Sequence, residues 1–148
     1  MNSHPYLRAF LAGAFVPTLI LPLMLTGFIL LRLVFDVPVP IERVLVFPMA
    51  LVPSLWALWN MVWIGSHPRT RISIGTHGAL LPLLLVPGGA FVATSLGIIN
   101  LAADGVNVVH SYHIPYLVIA PFFIGALAVY YLAWKYIVGF VNRTLGIA

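Results

Sequence analysis

Apolar residues run along this chain in long unbroken stretches, not in the alternation of inward and outward positions that a water-soluble protein shows. Four stretches stand out, at positions 9–31, 44–65, 79–103 and 114–136. Each exceeds the ~20 residues that a helix rising ~1.5 Å per residue needs to cross a hydrocarbon core of ~30 Å. Backbone groups left unpaired in lipid are costly, so the pattern predicts helices and not open strands. The run at 9–31 follows Arg8 as a signal peptide would, yet it far outlasts the ~7–15 residues of a signal core, and a retained first span is the expectation.

Three polar segments separate the runs. DVPVPIE (36–42) alternates prolines that favour an extended linker. SHPRTRISIGTH (66–77) forms the central connection. DGVNVVHSYHIP (104–115) reads as the last, with Asp104 and Gly105 as turn punctuation, Ser111 placed to cap the fourth helix and Pro115 in its first turn. The expected fold is an all-α membrane protein, a four-transmembrane-helix bundle with proline-kinked spans, forming one integral membrane domain over 1–148.

Prolines recur five residues apart in three of the runs, as VPTLILP (Pro17, Pro22), FPMALVP (Pro48, Pro53) and LPLLLVP (Pro82, Pro87), with Pro115 and Pro121 in the fourth. Pro48, Pro82 and Pro115 are expected in or near first turns, where a missing N–H costs little. The others lie deeper and release the carbonyl four residues earlier, bending the helix, with hydroxyls such as that of Thr18 available to compensate. Gly89, Ala93 and Gly97, at four-residue intervals, form the predicted helix-packing face.

Composition sharpens the class. The chain is 62% hydrophobic and 7% charged, against roughly 25% charged in soluble domains, so lipid must solvate most of its exterior. It has no cysteine, which excludes disulfides, thiolate metal sites and cysteine nucleophiles. The basic residues behind the net charge of +4 sit at the ends of apolar runs, which speaks for membrane orientation and against nucleic acid. With four spans, Arg8, Arg69, Arg71, Lys135 and Arg143 share one side. The other side has Arg32 and Arg43, each near an acid (Asp36, Glu42). The positive-inside rule then puts both termini in the cytoplasm, and a plasma (inner) membrane is the expected location. Trp56, Trp59, Trp63, Trp134 and Tyr136 are expected to form an interfacial belt at that side.

Reactive chemistry is sparse. The apolar cores hold no Asp or Glu, which speaks against proton-coupled transport. Asn60 is expected to tie helices together. All five histidines lie at or outside span ends, a poor arrangement for a bis-histidine haem, and no cofactor is indicated. Asp104, His110 and His113 are the candidate metal ligands, although their spacing matches no specific site. His67, Arg69, Arg71 and His77 are candidates for contact with a lipid phosphate or another anion. Asn142 begins an NRT glycosylation triplet that is expected to be silent on the cytoplasmic side.

The leading functional expectation is a non-enzymatic membrane subunit or scaffold that acts through helix packing in a homo-oligomer or larger membrane complex. Two alternatives stand beside it: a small-solute permease or channel with a path near Pro22, Pro53 and Pro87, and a membrane metalloprotein using the 104–113 segment. No family resemblance is carried by these residues.

Overall fold

The computed structural model describes residues 4–36, 47–108 and 112–147. It is mostly helical. Helix α1 spans Pro5–Val34, α2 Phe47–Thr70 and α3 Ile74–Ser95. Three short strands follow, β1 Ile99–Leu101, β2 Gly105–Val108 and β3 Tyr112–Pro115. The chain then continues as α4 Tyr116–Leu132, a π-helical stretch Ala133–Val138 and α5 Gly139–Thr144. Among the described residues three helices are long and apolar enough to cross a membrane: Pro5–Val34, Ile74–Ser95 and the continuous Tyr116–Thr144. The second expected span, 44–65, is helical from Phe47 onward, and its residues 44–46 lie outside the described residues.

The chain divides into two compact units, Met1–Ser73 with Tyr136–Ala148, and Ile74–Lys135. In the first, the buried face of α1 is Ala9, Ala12, Gly13, Val16 and Pro17, at the spacing that places residues on one side of a helix. It meets α2 in antiparallel register: a Cβ on Gly65 would stand 3.5 Å from the Tyr6 hydroxyl, and one on Gly13 would strike the Trp56 carbonyl and Ala57 Cα at 2.6 and 2.7 Å. Only glycine lets these two backbones approach so closely. Two further helical faces close the unit, Trp56, Ala57, Asn60 and Trp63 from α2, and Val138, Gly139 and Asn142 at the C-terminal end.

At the centre of this unit two asparagines pair. Asn60 Nδ2 donates to Asn142 Oδ1 at 2.9 Å and Asn142 Nδ2 returns a bond to Asn60 Oδ1 at 3.1 Å. Asn60 Nδ2 also donates to the Ala9 carbonyl at 2.8 Å, so three helices are joined at one point. Both amides are fully buried. Nearby, Arg8 Nη1 donates to the Leu145 carbonyl at 3.2 Å, where α5 leaves a carbonyl unbonded by its own helix.

In the second unit the close approach is again at glycine. A Cβ on Gly78 would overlap the Trp134 side chain, and one on Gly75 would lie 2.9 Å from Tyr131. The first half of α3 is thereby packed antiparallel to the end of α4. Helix α3 stops at Ser95 because Gly97, at φ 67, closes a Schellman motif: Gly97 N–H donates to the Thr94 carbonyl and Ile98 N–H to the Ala93 carbonyl. The expected third span of 79–103 is therefore shifted toward the N-terminus, and the residues beyond Gly97 form strand. The three strands pair antiparallel in the order β1-β2-β3, with Asn100 opposite Asn107 and Asn107 opposite His113. A Cβ on Gly105 would run into the Ile114 carbonyl, so the sheet needs glycine there.

The prolines are only partly where expected. Pro17, Pro22, Pro53, Pro87 and Pro121 lie inside helices. Pro82 is also well inside α3, and not near its start, since the helix begins before His77. Pro115 is the residue that caps α4 with an extended backbone (ψ 147), one position outside the first turn. The Ser111 cap, Arg43 and Glu42 lie outside the described residues, as does the Pro48 side chain. Thr18 donates to the Ala14 carbonyl and not to the Gly13 carbonyl that Pro17 releases.

Replacing either buried asparagine by leucine strands its partner amide in an apolar interior, at a cost of about 1–3 kcal/mol. Asn60→Leu and Asn142→Leu are each expected to lower stability to denaturant in detergent micelles by that amount. The double variant is expected to cost clearly less than the two singles added, because no amide is then left without its partner.

Candidate functional site

Among the described residues, polar side chains gather at the three-stranded sheet and at the turn after α2, besides the buried Asn60–Asn142 pair. On the sheet, the register sets Asn107 opposite His113, and the turn from β1 to β2 brings Asp104 alongside. His113 Nδ1 lies 2.8 Å from Asn107 Oδ1, and His113 Nε2 lies 3.3 Å from Asp104 Oδ2. The ring rests over Gly105, where a Cβ would come within 2.9 Å of its Cε1. The Asp104-Gly105 corner is closed by Ala102 N–H donating to the Gly105 carbonyl. Tyr116, the first residue of α4, holds the same corner through its N–H to the Asp104 carbonyl at 3.0 Å and its hydroxyl to the Ala102 carbonyl at 3.1 Å.

Of the three expected metal ligands, the structure brings together Asp104 and His113, and His110 lies outside the described residues. Both ring nitrogens of His113 face oxygens of the chain itself. Among the described residues no three His, Asp or Glu side chains are grouped to hold a metal ion.

At the end of α2, Trp63 Nε1 donates to the Ile72 carbonyl at 3.3 Å, and His67 Nδ1 lies 3.1 Å from the same oxygen. The two rings are 4.7 Å apart. This pair fastens the turn through Arg71, whose φ of 53 ends the helix. Arg69 and Arg71 are exposed there. His77 is not in the connection: it sits near the start of α3, buried, with its ring edge-on to Trp134 at 5.9 Å. Of the four residues expected around an anion, His67, Arg69 and Arg71 lie in one segment, with His67 against the Ile72 carbonyl, and His77 lies on α3.

The aromatic residues assigned to an outer belt divide similarly. Trp56, Trp63 and Trp134 are buried within the protein, Trp59 is half-buried, and Tyr136 is exposed. Lys135 Nζ lies over the Tyr131 ring at 5.5 Å. On α3, Gly89 is exposed with open space where a Cβ would stand, Ala93 is half-buried, and Gly97 lies beyond the helix end.

Sequence reasoning missed Asn142 as the partner of Asn60, and Gly13, Gly75 and Gly78 as the points of tight packing. The signals were present. Ala9, Gly13 and Pro17 repeat at four residues, Gly75 and Gly78 sit three apart beside Thr76, and Asn142 is the only amide near the C-terminus. Gly75 and Gly78 were hidden because polar neighbours made their segment look like a loop.

Gly105→Val is expected to displace the His113 ring and the β3 backbone. The sheet then opens to protease about tenfold faster, from an overpacking cost of ~1–3 kcal/mol, and the imidazole NMR signals of His113 move toward those of a solvated ring. Asp104→Asn should move those signals while leaving protease resistance in place. Comparison with known protein families, with curated proteins and with solved structures finds no match for this chain, so its role is read from its own residues alone.

Proposed function

We propose that this protein is a non-enzymatic integral membrane subunit or scaffold that works by packing its helices against further helices, of its own kind or of a partner. The observation that carries the reading is the small-residue face of α3. Gly75, Gly78, Pro82, Gly89 and Ala93 share one side of an ideal helix, at i, i+3, i+7, i+14 and i+18. The first half of that side is filled by Tyr131 and Trp134, while Gly88 and Gly89 have nothing within 4 Å. In lipid, helices associate through close packing and not through hydrophobicity, and an unfilled small-residue face on a candidate span is the surface at which a further helix gains most.

The topology belongs to the same reading. Both termini face the cytoplasm, the sheet faces the opposite side, and Arg69 and Arg71 lie at the cytoplasmic surface, where they meet anionic lipid heads. In support, the Arg8–Leu145 bond joins the start of α1 to the end of α5, as a bundle with both termini on one side requires.

Because the chain has no cysteine, single-cysteine variants give a clean test. Gly89→Cys and Ala93→Cys in membranes are expected to cross-link, to a second copy or to a partner, several-fold faster than Phe91→Cys on the same turn. Equal rates at the three positions would dismiss the packing face. A fluorescent reporter that matures only in the cytoplasm is expected to be bright at the C-terminus, and Asn107→Cys to be labelled by an impermeant maleimide from outside intact cells.

A further inference from the structure

Helices α3 and α4 are tightly packed where Gly75 and Gly78 meet Tyr131 and Trp134, but they part toward the sheet. There they flank an open cleft of about 460 Å³, walled by Leu83, Val86 and Pro87 from α3 and by Ile119, Ala120 and Phe123 from α4. The walls are apolar, and both helices are candidate membrane spans. Tyr116 stands at the mouth, where its N–H bonds the Asp104 carbonyl and its hydroxyl bonds the Ala102 carbonyl. The polar corner of the sheet is therefore within one residue of the opening. The Asp104 carboxylate is 79% exposed there, with its only described ionic neighbour, His113, at 3.3 Å.

We propose that this cleft holds one acyl chain of a bilayer lipid, and that the headgroup donates hydrogen bonds to Asp104. The size favours a thin chain. A methylene occupies about as much space as a water molecule, ~30 Å³, so the cleft takes on the order of fifteen chain carbons. The charge distribution selects the head. Between Arg71 and Lys135 the chain has no Lys or Arg, so a bare phosphate has no strong cation to meet, whereas an ammonium or hydroxyl finds a carboxylate at the mouth. The inference rests on the membrane placement; because Val86 borders the Gly89–Ala93 face of α3, the lipid is read by its adducts on α4 and the further helix by cross-linking on α3.

The test uses the full-length protein in lipid nanodiscs, with trace diazirine-bearing phosphatidylethanolamine or phosphatidylcholine of identical chains, and maps the photoadducts by mass spectrometry. Phosphatidylethanolamine has N–H donors and phosphatidylcholine has none. Adducts are expected at Ile119, Ala120 and Phe123 in at least about threefold excess over Leu117, Phe122 and Ile124, the excess that one modest polar contact in a membrane confers. Phosphatidylethanolamine is expected to exceed phosphatidylcholine by a similar factor, and Asp104→Asn to abolish that preference. Ala120→Trp fills the cleft and should bring labelling at Phe123 down to the level of Leu117, with Val86→Trp making the same test from the other wall if the first variant does not fold. Equal labelling of the two faces overturns the proposal as ordinary bilayer contact. Equal labelling by the two lipids overturns the headgroup assignment.

Discussion

The hydrocarbon of a membrane offers no hydrogen bonds, so every polar group that enters it must be matched by the chain itself. Most of the architecture described above answers to that constraint. Thr18, Thr26, Thr70, Thr94, Ser95 and Thr144 each donate to the carbonyl four residues earlier, so their hydroxyls are satisfied within their own helices. The side-chain amides of Asn60 and Asn142 cannot be satisfied that way, and they satisfy each other. Helix ends are closed by the backbone: α3 through Gly97, and α5 through Gly146, whose N–H bonds the Arg143 carbonyl while that of Ile147 bonds the Asn142 carbonyl. Among the described residues, strand structure is found only beyond α3.

Once polar groups are matched, packing decides which helices touch. Lipid is as apolar as leucine, so a helix gains little by exchanging lipid for a leucine neighbour. Close contacts therefore concentrate where the side chain is missing: Gly13 against the α2 backbone, and Gly75 and Gly78 under Tyr131 and Trp134. The large exposed residues of α1 and α4, Leu23, Leu33, Leu117 and Phe122 among them, are what a lipid-facing surface consists of.

The apolar runs located the helices because hydropathy integrates over twenty residues and survives local error. Their ends were less legible, because ends are set by single residues. Gly97 looked like a member of a packing stripe, yet its left-handed backbone ends the helix eight residues before the apolar run does. Asp104-Gly105 followed by VNV is a hairpin signal, but it was overshadowed by the expectation of a simple return loop. At the candidate sites, the cross-helix role of Asn60 was visible as an amide among tryptophans, while its partner Asn142 was not, since nothing local links residues that far apart. Trp56, Trp63 and Trp134 fit either an interfacial belt or a buried layer by sequence, and only tertiary contact separates the two.

The amide pair has a consequence for how the protein is made. Asn60 and Asn142 are 82 residues apart. A chain emerging from the ribosome presents α1 and α2 long before it presents α5, and that early hairpin carries a side-chain amide whose partner has not yet been synthesised. The hairpin can form at Gly13 and hold Asn60 on the Ala9 carbonyl, but it cannot become fully satisfied until Asn142 on α5 arrives. Completion of the first unit thus waits for α5, and during that interval the face around Asn60 carries an amide only half matched.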